Sequence, residues 1–85
     1  MRSTPGSKLM ALLAKEWDMI GSPGIMDISD VVIALPLAPS ETIATIKDLY
    51  TIGLIDTNTL KTAIFLTPEG YATVEHERSF EQEDT

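Results

Sequence analysis

The sequence predicts a small α+β domain in which three helices are followed by a short β-hairpin and a final helix. Three observations carry that expectation. Apolar residues recur at helical spacing between positions 9 and 20 and again between 43 and 50. Glycine and proline punctuate the chain at 21–24, 36–39, 53 and 68–70. Two short apolar stretches, at 54–55 and 63–66, flank a polar turn, which is the pattern of a hairpin.

The opening MRSTPG is polar and turn-rich, so residues 1–6 are expected to be flexible. A first helix is expected from about Ser7, which can serve as its N-cap. Leu9, Leu12, Leu13, Trp17 and Ile20 form its apolar stripe, and GSPG at 21–24 ends it. Ile25 and Met26 can form a stub of strand. Asp27 can then cap a short helix starting at Ile28, with Asp30 near the positive end of its dipole. The β-branched run Val31, Val32, Ile33 would also suit a strand. The caps and the stop at Pro36 favour a helix with Ile28, Val31, Val32 and Leu35 inward.

Leu37 plugs the following turn, and Pro39 suits the first position of a third helix. Ala38 is a poor N-cap, and Ser40 could cap one register later. Ile43, Ile46, Leu49 and Tyr50 supply the apolar side of this helix. Gly53 ends it, because glycine adopts the left-handed C′ conformation without steric cost. Leu54 and Ile55 enter the core as the chain reverses. AIFL at 63–66 pairs back on 54–57 across the turn DTNTLKT. Thr67 caps a last helix with Pro68 at N1, from which Tyr71 and Val74 face the core and Phe80 extends the stripe. The domain is expected to span 7–80, with 81–85 as an acidic flexible tail.

The composition narrows function. A chain of 85 residues holds at most one domain. At this size folding buries only about 60 to 65% of the unfolded surface, so the core is thin. There is no cysteine, which excludes disulfides, thiolate metal sites and cysteine nucleophiles. The longest apolar run, VVIAL at 31–35, is far short of the roughly 20 residues that cross a bilayer. The chain therefore reads as soluble and cytoplasmic. Its net charge is −7, split as +1 over residues 1–24, −3 over 25–66 and −5 over 67–85. Such an acidic chain is repelled by a polyanion at long range.

No catalytic, cofactor-binding or metal-binding set emerges. His76 in VEHER is the only histidine, and its neighbours in sequence do not converge on one helix face, so it reads as a solvated helix residue. Asp27 and Asp30 read as capping groups, and Ser29 and Ser40 lack an activating histidine and acid. GSPG lacks the lysine and spacing of a phosphate loop. Trp17 reads as core or dimer packing. Tyr50 reads as edge packing or a binding residue.

Two helices joined by a turn of about three residues over 28–52 make a helix-turn-helix arrangement. Leu49, then Gly53, Leu54 and Ile55, followed by a hairpin and by Thr67, Pro68, Glu69 and Gly70, resemble the winged helix-turn-helix domains of MarR-like transcription regulators. The likeness covers roughly residues 25–74. It implies a winged-helix fold, double-stranded DNA as ligand and a homodimer. It also implies a recognition helix over 39–52 whose contacts would be Ser40, Glu41, Ala44, Thr45, Lys47, Asp48 and Thr51, with Lys61 on the wing. Outside the likeness, Arg2 and Lys8 could form an N-terminal arm touching phosphate. Leu9, Leu12, Trp17, Val74 and Phe80 are expected to exceed what a small core consumes and to serve a dimer. The alternative is a protein–protein interaction module on the same scaffold, motivated by the acidic surface and the short, lysine-poor wing.

Overall fold

The computed structural model describes residues 4–83, with side chains up to Arg78. The elements are α1 (Pro5–Ile20), β1 (Met26–Asp27), α2 (Ile28–Ala34), α3 (Pro39–Thr51), β2 (Ile55–Thr57), β3 (Ala63–Leu66) and α4 (Pro68–Glu83). The three strands form one antiparallel sheet in the order β1-β3-β2. Met26 pairs with Ile64, and Ile55 pairs with Leu66. Helix, strand, helix, helix, hairpin and helix in this order make a winged-helix-like arrangement.

Two helices start on the same Thr-Pro signal. Thr67 Oγ1 accepts the Gly70 N–H at 3.1 Å, with Pro68 at N1. Thr4 does the same at α1: its hydroxyl oxygen accepts the Ser7 N–H at 3.1 Å, with Pro5 next in line. Ser7 is therefore not the cap. It supplies the N–H that is capped, and α1 starts two residues before the expected boundary. Asp27 stands at the N-cap of α2 in extended conformation but makes no side-chain capping bond. Ala38, not Ser40, is the N-cap of α3, and Pro39 at N1 sets the turn instead.

Gly53 ends α3 as expected, at φ +85°. The Leu54 N–H donates to Leu49 O at 3.0 Å and the Gly53 N–H to Tyr50 O at 3.1 Å. This pair of bonds is the Schellman motif, which satisfies two of the last carbonyls of the helix. The turn between β2 and β3 is organised by Asn58. Its Oδ1 accepts the N–H groups of Thr62 and Ala63, and its Nδ2 donates to Thr62 Oγ1. Lys61 completes the turn in the left-handed region at φ +59°.

The core is built from Leu9, Met10, Leu13 and Ala14 of α1, Val31 and Leu35, Ile46 and Leu49 of α3, Ile55, Ile64 and Leu66 of the sheet, and Val74. Leu12, Trp17, Leu54 and Tyr71 pack against it, half-buried. Several expected inward residues face solvent: Ile20, Ile43 and Tyr50 are exposed. On α3 their place is taken by Thr42, fully buried, and Thr45, 8% exposed. Both hydroxyls donate back along the helix, Thr42 to Ala38 O at 3.2 Å and Thr45 to Glu41 O at 2.8 Å. A threonine satisfied in this way presents only its methyl group to the neighbouring helix.

The apolar residues assigned to a dimer are largely used within the monomer. Leu9 is fully buried and Val74 is 7% exposed. The Trp17 ring stacks on Tyr71, centroids 4.4 Å apart and planes inclined by 17°. The side chain of Phe80 lies outside the described residues, as does Arg2.

Candidate nucleic-acid interface

The outer face of α3 is defined by what its inner face does. With Thr42, Thr45, Ile46 and Leu49 turned into the core, Ser40, Glu41, Ala44, Lys47, Asp48 and Thr51 are all exposed. They divide into stripes by helical spacing. Ser40, Ala44, Lys47 and Thr51 follow one another at steps of four, three and four, giving a central row of small side chains around one lysine. Glu41 and Asp48, seven apart, form one flank. Ile43 and Tyr50, also seven apart, form the other.

The helix is held firmly at its C-terminal end. The Thr67 hydroxyl donates to Gly53 O at 2.7 Å, and the Thr67 N–H donates to Leu54 O at 3.2 Å. One residue thus caps α4 and ties it to the end of α3. Gly70 lies so close to this junction that a Cβ there would collide with the Leu54 carbonyl and stand 2.9 Å from Leu66 Cδ2. The Gly-Leu-Ile and Thr-Pro-Glu-Gly segments are therefore two sides of one contact, which fixes α3 relative to the hairpin.

Seven of the eight expected contact residues are exposed in the structure, and Thr45 is the exception. It faces the core with its hydroxyl already bonded, so it is not available to a ligand on the outer face. Lys61 stands exposed on the wing turn, next to Leu60, which is also exposed. Together α3 and the hairpin present Lys47 and Lys61 against Glu41, Asp48 and Asp56, all exposed. Lys8 is half-buried and Lys15 exposed, both on α1. At the end of α3, Tyr50 and Thr51 join Gly53, Ile55, Asp56 and Thr67 around a shallow, open depression.

A polar network between α1 and α4 is absent from the sequence-based expectations. The Tyr71 hydroxyl donates to Asp18 Oδ1 at 2.6 Å, and Arg78 Nη1 bridges Asp18 at 3.1 Å and Glu75 at 2.8 Å. The Tyr71 bond, aided by Arg78, holds the Asp18 carboxyl below its usual value. The same bond pushes the Tyr71 hydroxyl up to about 12. Its only signal in sequence is the i, i+4, i+7 spacing of Tyr71, Glu75 and Arg78, which puts the three on one face of α4 but names no partner.

Among the described residues no group of three or more histidine, cysteine or acidic side chains is placed to hold a metal ion. Among them, too, no helix is long and apolar enough to cross a membrane. No family model, curated protein or solved structure matches the chain.

Proposed function

We propose that this chain is a non-enzymatic winged-helix regulator of transcription that binds double-stranded DNA through α3, as a homodimer in the cytoplasm. The observation that carries the reading is the free outer face of α3. Along its whole length it is exposed, and its central row of Ser40, Ala44 and Thr51 is small enough for close approach to a groove. The likeness to MarR-like regulators in the segments 49–55 and 67–70 supports it. Lys47 and Lys61 supply phosphate contacts, so each subunit releases only about two to four counterions. Two copies on two half-sites make such weak contacts additive. Sedimentation at micromolar concentration then gives twice the chain mass.

The charge of the same surface favours a second reading, a protein-docking module. Two lysines face three carboxylates there, and Tyr50 and Ile52 stand 47% and 67% exposed at the end of α3. One titration separates the two. Wild type and a Glu41→Gln/Asp48→Gln variant are titrated with random-sequence duplex at low salt. Removing two carboxylates that oppose phosphate tightens non-specific binding if α3 meets DNA. If neither protein binds duplex while both keep a native circular dichroism spectrum, the DNA reading is refuted and the docking module takes its place.

A further inference from the structure

One carboxylate, that of Asp18, holds two different parts of α4 against α1. We propose that the second half of α4, from Glu75 onward, is a latch: it comes away from α1 as a unit while the rest of the domain stays folded, and the ion pair of Asp18 with Arg78 sets how often it does so.

The first half of α4 is anchored. Thr67 ties its start to the end of α3, Gly70 is pressed against the Leu54 carbonyl, and Val74 lies in the core at 7% exposure. Beyond Val74 the character of the helix changes, and none of residues 75–78 is buried. This half is joined to α1 by the bridge from Arg78 Nη1 to Asp18 Oδ2 at 3.1 Å, whose two side chains are 39% and 41% exposed. An ion pair as open as this holds weakly and is screened by salt.

Opening the bridge strands no charge. Asp18 divides its two oxygens between the two halves of α4. Its Oδ1 accepts the Tyr71 hydroxyl of the anchored half at 2.6 Å, and its Oδ2 meets Arg78 of the outer half. Arg78 Nη1 likewise has a second partner, Glu75 Oε2 at 2.8 Å, one turn back on its own helix. When Arg78 leaves, Asp18 keeps Tyr71 and Arg78 keeps Glu75. Neither group is left unsatisfied, so the main cost of losing a polar contact does not arise. Residues 75–85 carry five carboxylates and one arginine, so once Arg78 lets go the outer half and Asp18 repel each other. The bridge is therefore built to open and close.

The test is amide hydrogen exchange of the full chain, followed residue by residue by NMR at urea concentrations below the unfolding transition. In wild type the amides of residues 76–82 are expected to exchange faster than those of β3. Their rates should depend weakly on urea, because opening the latch exposes little surface, whereas β3 should show the steep dependence of global unfolding. Arg78→Gln and Asp18→Asn should each speed exchange at 76–82 about threefold, within the range for an exposed ion pair. The double variant should be no faster than either, because all three lack the same bond. Raising salt from about 0.05 M to about 0.5 M should speed wild type about twofold and leave Arg78→Gln unchanged. Amides 76–82 that share the steep urea dependence of β3 overturn the latch, since α4 then opens only with the whole domain. Fast exchange there that neither substitution alters, or two substitutions whose effects multiply, overturns the role of the Asp18–Arg78 pair and leaves simple fraying of the helix end.

Discussion

Gly70→Ala sets two physical effects of opposite sign against each other. Gly70 is the third residue of α4, where local propensity alone makes alanine about 1 kcal/mol more stable than glycine. The tertiary environment argues the other way. An alanine Cβ would run into the Leu54 carbonyl and lie 2.9 Å from Leu66 Cδ2. Backbone carbonyls do not rotate away as side chains do, so the first turn of α4 must retreat by about 1 Å to restore ordinary contact. That retreat stretches the two bonds that tie the turn to the end of α3: Thr67 N–H to Leu54 O and the Thr67 hydroxyl to Gly53 O. At about 1 kcal/mol each, losing them and loosening the contact with Leu66 costs about 2 to 3 kcal/mol. Net of propensity, Gly70→Ala should destabilise by about 1 to 2 kcal/mol, a large share of what a domain this small can have. Urea titration followed by circular dichroism at 222 nm measures it. Gly53→Ala serves as the reference: that site has open space around it but φ +85°, so only the backbone penalty of about 1 kcal/mol applies. Equal or greater stability of Gly70→Ala, or a smaller loss than at Gly53, would refute the close approach.

Lys61→Gly should stabilise the fold by up to about 1 kcal/mol in the same titration, because it relieves a left-handed lysine at φ +59°. Asn58→Ala should cost about 1 to 2 kcal/mol, because it removes the acceptor for the Thr62 and Ala63 N–H groups, and hydrogen exchange at those two amides should rise. The folded state lowers the Asp18 pKa from 3.8, so its contribution is present above the unfolded value and is lost as pH falls through the folded one. Wild type should therefore lose more stability than Asp18→Asn between pH 5 and about pH 3. Tyr71 runs the opposite way. With its folded pKa raised from 10.0 to about 12, its contribution is complete below pH 10 and fades as pH climbs toward 12, and absorbance titration of the phenol should show the late ionisation.

The sequence by itself determined the elements and their ends. Gly53 as the C′ residue, Thr67 with Pro68 at the start of α4, and the hairpin of β2 on β3 all depend on dihedral preferences and hydrogen bonds within a few residues. The same signal stands at Thr4 and Pro5, where proline at N1 sets the start of α1 and Thr4, not Ser7, is the cap. Which side of each element faces inward was decided by tertiary structure. Thr42 and Thr45 read as polar, yet each hydroxyl bonds to its own helix and leaves a methyl group for the core, while Ile43 and Tyr50 turn outward. Six of the exposed residues on α3 were legible as a candidate contact face, but Thr45 was not separable from them without knowing where α3 meets its neighbours. Leu9 and Val74 are consumed by the monomer because α1 and α4 share one core, which neither helix's own spacing reveals. Gly70 is decided by Leu54, sixteen positions earlier, and Asp18 by Tyr71 and Arg78, more than fifty positions later. Local geometry is written in neighbouring residues. Close approach and facing are set by partners distant in the chain, and only folding brings those together.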